Sequence, residues 1–98
     1  MVVESVYLDI KKNQVPDFLQ AFHKAEPLIG NADGYISHSL MQCLDNNHRF
    51  LLTVQWKTLE SHTVNFRQSA QYKKWKKLLH HFYDPFPTVS HFKPIKPI

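Results

Sequence analysis

Seven residues, Phe50-Leu-Leu-Thr-Val-Gln-Trp56, run almost unbroken in apolar side chains, with only Thr53 and Gln55 intervening. A run this short and this rich in β-formers suits a strand, and its lack of a polar face predicts a central strand covered on both sides. Such a strand needs neighbours in a sheet and something apolar over each face. The rest of the chain is read for both.

One neighbour precedes it. Tyr35 to Leu44 reads as a strand joined to Arg49–Trp56 through the polar turn "DNNH", a hairpin. A second neighbour is the N-terminal stretch Val2 to Ile10, with Val2, Val6, Leu8 and Ile10 on one side and Val3, Ser5, Tyr7 and Asp9 on the other. Between them a helix is expected from about Gln14, with Asn13 as N-cap, Pro16 and Asp17 in the first turn, and a core stripe of Val15, Phe18, Leu19, Phe22, Ala25 and Leu28 or Ile29. Pro27 and Gly30 end it.

A second helical region starts at Thr58 as N-cap, bends near Gln68 and Ser69, and runs on to Tyr83. Its last part, "YKKWKKLLHHFYDPF", has two possible meanings, because lysines among aromatics also describe a nucleic-acid grip. At about 100° per residue, Tyr72, Trp75, Leu78, Leu79, Phe82 and Tyr83 share one arc, while Lys73, Lys74, Lys77, His80 and His81 share the opposite one. A base-stacking surface would put cations beside the aromatics. Segregation reads instead as a buried aromatic stripe with solvated lysines, and no nucleic-acid partner. "DPFP" stops the helix, Thr88 to Lys93 is a short last strand, and residues 94–98 form a Pro-rich tail to a single domain spanning 1–93.

The order β-α-β-β-α-β is that of an α+β, ferredoxin-like fold: a four-stranded antiparallel sheet with both helices on one face. The apolar outer face then calls for a second copy, so the expected assembly is a homodimer, a dimeric α+β barrel. A 98-residue chain with 43% hydrophobic residues is large enough for one such core and far from the disordered class. The net charge of +4 is concentrated in Lys73, Lys74, Lys76, Lys77, Lys93 and Lys96 and is weak evidence for a polyanionic partner. Cys43, the single cysteine, excludes an intrachain disulfide and a C-x-x-C pair. With neither a secretory signal nor a stretch of about 18 apolar residues in view, a cytoplasmic protein without membrane contact is expected.

The residues from Leu51 to Phe92 resemble the antibiotic biosynthesis monooxygenase family. The likeness rests on a strand ending in Trp56-Lys57, the helix start Leu59-Glu60-Ser61-His62, then Phe66-Arg67-Gln68-Ser69, Gln71-Tyr72-x-x-Trp75, and a final strand carrying His91. It extends over about Val3 to Phe92. The family includes cofactor-free oxygenases of aromatic substrates, quinol oxidases, heme-degrading enzymes, isomerase-like members and proteins of unknown role. The resemblance implies a monooxygenase that oxidises an aromatic or quinol with O2 and holds no cofactor. On it, His62 is expected to take the proton of the substrate hydroxyl, with a pKa near neutrality, while Arg67 or His91 holds the anion. Phe66, Tyr72, Trp75 and His38 are expected to bind the small apolar or aromatic ligand. Heme-degrading members carry an Asn, a Trp and a ligating His at places that fall at or next to Val6, Phe66 and Lys76, so none of the three is present.

Each residue also has a plainer reading. His62 could bond a backbone carbonyl, Arg67 could pair with Glu60 or Glu4, and Tyr72 and Trp75 could be core. The corresponding alternative for the whole chain is a non-catalytic ligand-binding or regulatory dimer. A metal site is not expected: His80 and His81 point about 100° apart, and no histidine lies four residues from another. Two glycines exclude a Gly-rich phosphate loop.

Overall fold

The apolar run forms β3 (Arg49–Trp56), paired antiparallel on one side with β1 (Val2–Asp9) and on the other with β2 (Tyr35–Gln42). A short β4 (Val89–Phe92) pairs with the free edge of β1, giving the order β2-β3-β1-β4. This is the ferredoxin-like arrangement with every pair antiparallel. The structure, a computed structural model, describes residues 1–96, so the end of the Pro-rich tail lies outside the described residues.

Alternation sets the two faces of the sheet. Val6 and Leu8 of β1 and Phe50, Leu52, Val54 and Trp56 of β3 point inward and are buried. Over them lie α1 (Val15–Gly30) and α2 (Ala70–Leu79), which bury Phe18, Phe22, Ala25 and Ile29, and Trp75 and Leu79, respectively. Leu19, expected in the α1 stripe, is 43% exposed instead. The opposite face carries Tyr7, Leu51, Thr53, Gln55, Met41 and Phe92, none of them buried. Within one chain, therefore, β3 is covered on one face only, the face that carries both helices, and the cover expected on the other is left to a second copy.

Asn13 does not cap α1. It sits at φ 65, a left-handed conformation that Asn tolerates, and Gln14 occupies the cap position without a side-chain hydrogen bond. Thr58 does cap: its hydroxyl accepts the Ser61 N–H at 3.1 Å. The helix that follows is not one α-helix with a bend. Ser61–Phe66 is a π-helical segment, Ser69 then accepts the Tyr72 N–H to start α2, and His80–Phe82 tightens into a 3₁₀ turn. Gly34, at φ 83, lies against Ser61 so closely that a Cβ there would overlap the serine side chain. This contact fixes the start of the π segment against the loop before β2.

Candidate active site

Between the inner sheet face and the helices lies a cavity of about 390 Å³. That volume suits a small molecule. Val6, Leu8 and Leu52 line it from the sheet, and Phe66, Trp75 and Phe86 from the helical side. Six polar side chains also line it: Glu4, His62, Arg67, Tyr72, His80 and Tyr83.

Glu4 is the innermost charge, 6% exposed on a central strand between Val54 and His91. One oxygen is held from two directions: Trp56 Nε1–H donates to Oε1 at 3.0 Å, and His62 Nε2 lies 3.4 Å from the same atom. The Trp56 indole stacks on the His62 ring, with centroids 5.3 Å apart and planes 18° from parallel. On its far side, His62 Nδ1 is 2.9 Å from His91 Nε2. A neutral His62 has one proton to place. The tautomer that serves an ionised Glu4 puts that proton on Nε2 and lets Nδ1 accept from His91. Oε2 has no hydrogen-bonding partner among the described residues, and no sealed side-chain polar atom there lacks one, so Oε2 looks onto the cavity.

Burial raises the Glu4 pKa from its ordinary value, an effect that the Trp56 hydrogen bond and the Arg67 charge only partly offset. The same burial, reinforced by the charges of Arg67 and His91, takes His62 down to about 3. The expectation of a near-neutral His62 is thus overturned: 4% exposed, it is a neutral imidazole in this site. His91 is lowered as well, by burial and then by Arg67.

The π segment explains why His62, Phe66 and Arg67 meet. Its wider turn is marked by the Arg67 N–H donating to the His62 carbonyl five residues back. In an α-helix, positions 62 and 67 would diverge by about 140°. Of the residues singled out from the sequence, His62, Phe66, Arg67, Tyr72 and Trp75 line the cavity, and His91 joins through His62. Arg67 pairs with neither Glu60 nor Glu4; among the described residues no carboxylate lies within 4.0 Å of it.

His38 is elsewhere, outside the cavity wall. Its Nε2 lies 2.6 Å from Glu26 Oε2, and its Nδ1 meets the Tyr35 hydroxyl. Glu4 was missed, although it shares even parity with Val6, Leu8 and Ile10 and is the one charge on that face. His80 counts with the lysines on the solvated arc; it is half-buried in the cavity wall instead, with Tyr83 and Phe86, from beyond α2, against its ring. Lys73, Lys74 and Lys77 are exposed as expected. No group of three or more His, Cys, Asp and Glu among the described residues could hold a metal ion, and no helix is long and apolar enough to cross a membrane.

Comparison with known proteins places this geometry. The chain is 50% identical over 95 residues to YczJ of Bacillus subtilis (strain 168), itself uncharacterized, covering 97% of this chain and all of that one. A crystal structure from Bordetella bronchiseptica, of a protein assigned to the antibiotic biosynthesis monooxygenases, superposes with a TM-score of 0.92 at 28% identity, covering 97% of each chain. SnoaB of Streptomyces nogalater, a cofactor-independent oxygenase, shares the fold with a TM-score of 0.86 at 10% identity, covering 99% of this chain and 95% of its own. The family model for antibiotic biosynthesis monooxygenases matches residues 1–78. This chain belongs to the antibiotic biosynthesis monooxygenase family.

Proposed function

We propose that the protein is a monooxygenase that oxidises an electron-rich phenol or quinol with O2 in the cavity, without a bound cofactor, the substrate itself supplying the electrons. The observation that carries this is the Glu4 carboxylate, clamped at Oε1 and open at Oε2 to an aromatic-walled cavity. Its pKa is raised by burial, which makes it a stronger base than an ordinary carboxylate. In this reading Glu4 takes the hydroxyl proton, and His62, held by His91, orients it. The base role expected for His62 moves to its neighbour.

Arg67 stabilises the phenolate and the negative charge that passes to oxygen. Phe66, Tyr72 and Trp75 hold the ring. The anion gives one electron to O2, the two radicals join through a C–O bond, and Glu4 returns its proton to the peroxide. Glu4 then removes the C–H proton, the O–O bond breaks, and hydroxide leaves with that proton as water. The sum, a phenol plus O2 giving a quinone plus water, needs no external reductant. The cofactor-independent oxygenase SnoaB shares this fold, which supports the assignment.

The outer sheet face, with Tyr7, Leu51, Met41 and Phe92 partly or largely open to solvent, is proposed to pair with a second copy. Light scattering should then give twice the 11.6 kDa chain mass at micromolar concentration; a monomer there removes the dimer. The activity is tested by oxygen uptake against a panel of naphthols and quinols in metal-free buffer. Quinone formation matched mole for mole by O2 uptake is expected, and the absence of uptake across the panel removes the assignment.

A further inference from the structure

His80 takes no part in the steps above, yet it stands in the cavity wall. It closes α2 at the point where the helix tightens, and its ring lies among three aromatic rings at centroid distances of 5.1 Å (Phe86), 5.7 Å (Tyr83) and 6.1 Å (Tyr72). Phe86 is 65% exposed although it lines the cavity, so this corner is the cavity's mouth. Neither ring nitrogen of His80 has a hydrogen-bond or ion-pair partner among the described residues. Of the charged groups, Lys76, one turn back, is the one that acts on it; with burial as the larger cause, it lowers the His80 pKa. A neutral imidazole here presents one donor and one acceptor and spends neither on the protein.

We propose that His80 is a second polar anchor of the cavity, hydrogen-bonding an oxygen of the ligand on a different wall from Glu4, so that the ligand class is an aromatic carrying two separated oxygens, such as a para-quinol or a hydroxyquinone. The inference rests on the reading that the cavity takes an oxygenated aromatic. The His80 nitrogens are unpaired but not sealed, so whatever fills the cavity completes them, solvent or ligand, and the three aromatic rings around them leave that place to a ligand oxygen. A single phenolic oxygen would satisfy Glu4 and Arg67 and leave His80 unmet.

Two probes of similar shape separate the possibilities: 2-naphthol, with one oxygen, and 2,6-dihydroxynaphthalene, with oxygens at opposite ends. Binding is measured anaerobically, so that no turnover intervenes. The wild-type protein should prefer the diol about three- to tenfold. His80→Phe should abolish that preference while keeping the affinity for 2-naphthol, and His80→Gln should restore part of it. The ¹⁵N resonances of the His80 imidazole should move with the diol and stay in place with 2-naphthol. Equal binding of the two probes by the wild type, an unchanged preference in His80→Phe, unmoved ¹⁵N resonances, or no binding of either overturns the proposal. Oxygen uptake is read separately: a diol preference that depends on His80, without uptake, leaves this inference standing and removes the oxygenase.

Discussion

Of the histidine–carboxylate pairs among the described residues, the tightest is not in the cavity. His38 and Glu26 approach to 2.6 Å on the α1–β2 side, with the carboxylate side chain 38% exposed. His62 and Glu4 are 3.4 Å apart, with side chains only 5% and 8% exposed. Distance alone would choose the first pair. Water reaches Glu26 and screens its charge, whereas Glu4 is desolvated, gripped at one oxygen and open at the other to the cavity. Exclusion of water, more than closeness of partners, marks the pair fit for chemistry.

The largest effect that should separate the pairs is on turnover. Glu4→Gln is expected to lower oxygen uptake by about 10² to 10⁴, the usual loss with a general base, whereas Glu26→Gln should stay within about twofold. Equal losses would erase the distinction. A smaller separation should appear in stability against pH. His62 has a folded pKa of about 3 against an ordinary 6.5, so between these values the unfolded state binds more protons and stability falls as pH falls. From pH 6.5 to 4.5 the cost of that one group is on the order of 2 kcal/mol. Glu4, raised above 4.5, acts with the opposite sign: the folded state binds its proton more readily, and stability falls as pH rises through that window. Denaturant titrations between pH 7 and 4.5 should therefore show a partly masked acid loss in the wild type. Glu4→Gln should steepen it, and His62→Gln should reduce it to the smaller part that His80 and His91, lowered as well, contribute. An acid loss of undiminished size in His62→Gln would show that His62 is not its main source.

Which features could be read from the sequence follows from which ones repeat. The strand order and both helix stripes came from patterns of period two and 3.6, sustained over several residues, so Phe18, Phe22, Trp75 and Leu79 were placed correctly in the core. Where the period changes for a single turn, the pattern misleads. The grouping of Arg67 with His62 depends on a π segment that no spacing in "SHTVNF" announces. His80 counts onto the solvated arc, yet Phe86, beyond the helix, packs against its ring in the cavity wall. His38 shows a third kind of failure, because its partners, Tyr35 and Glu26, are supplied by tertiary contact. Glu4 was legible and overlooked: a lone carboxylate at an inward position of an apolar strand is a buried charge, and buried charges call for a reason.

The π segment also bears on how such a site could arise or vanish. Insertions and deletions are usually borne by loops, since a lost residue in a helix rotates everything after it. Here the helix between Ser61 and Phe66 already carries a wider turn than the α register needs. Loss of one codon between His62 and Arg67 would let an ordinary α-helix re-form and leave the two four residues apart, about 40° around the axis, so the guanidinium would still share the cavity with His62. A single in-frame deletion there would remove the wide turn and leave the charge in the chamber, so the pair of His62 and Arg67 does not depend on the chain keeping that extra residue.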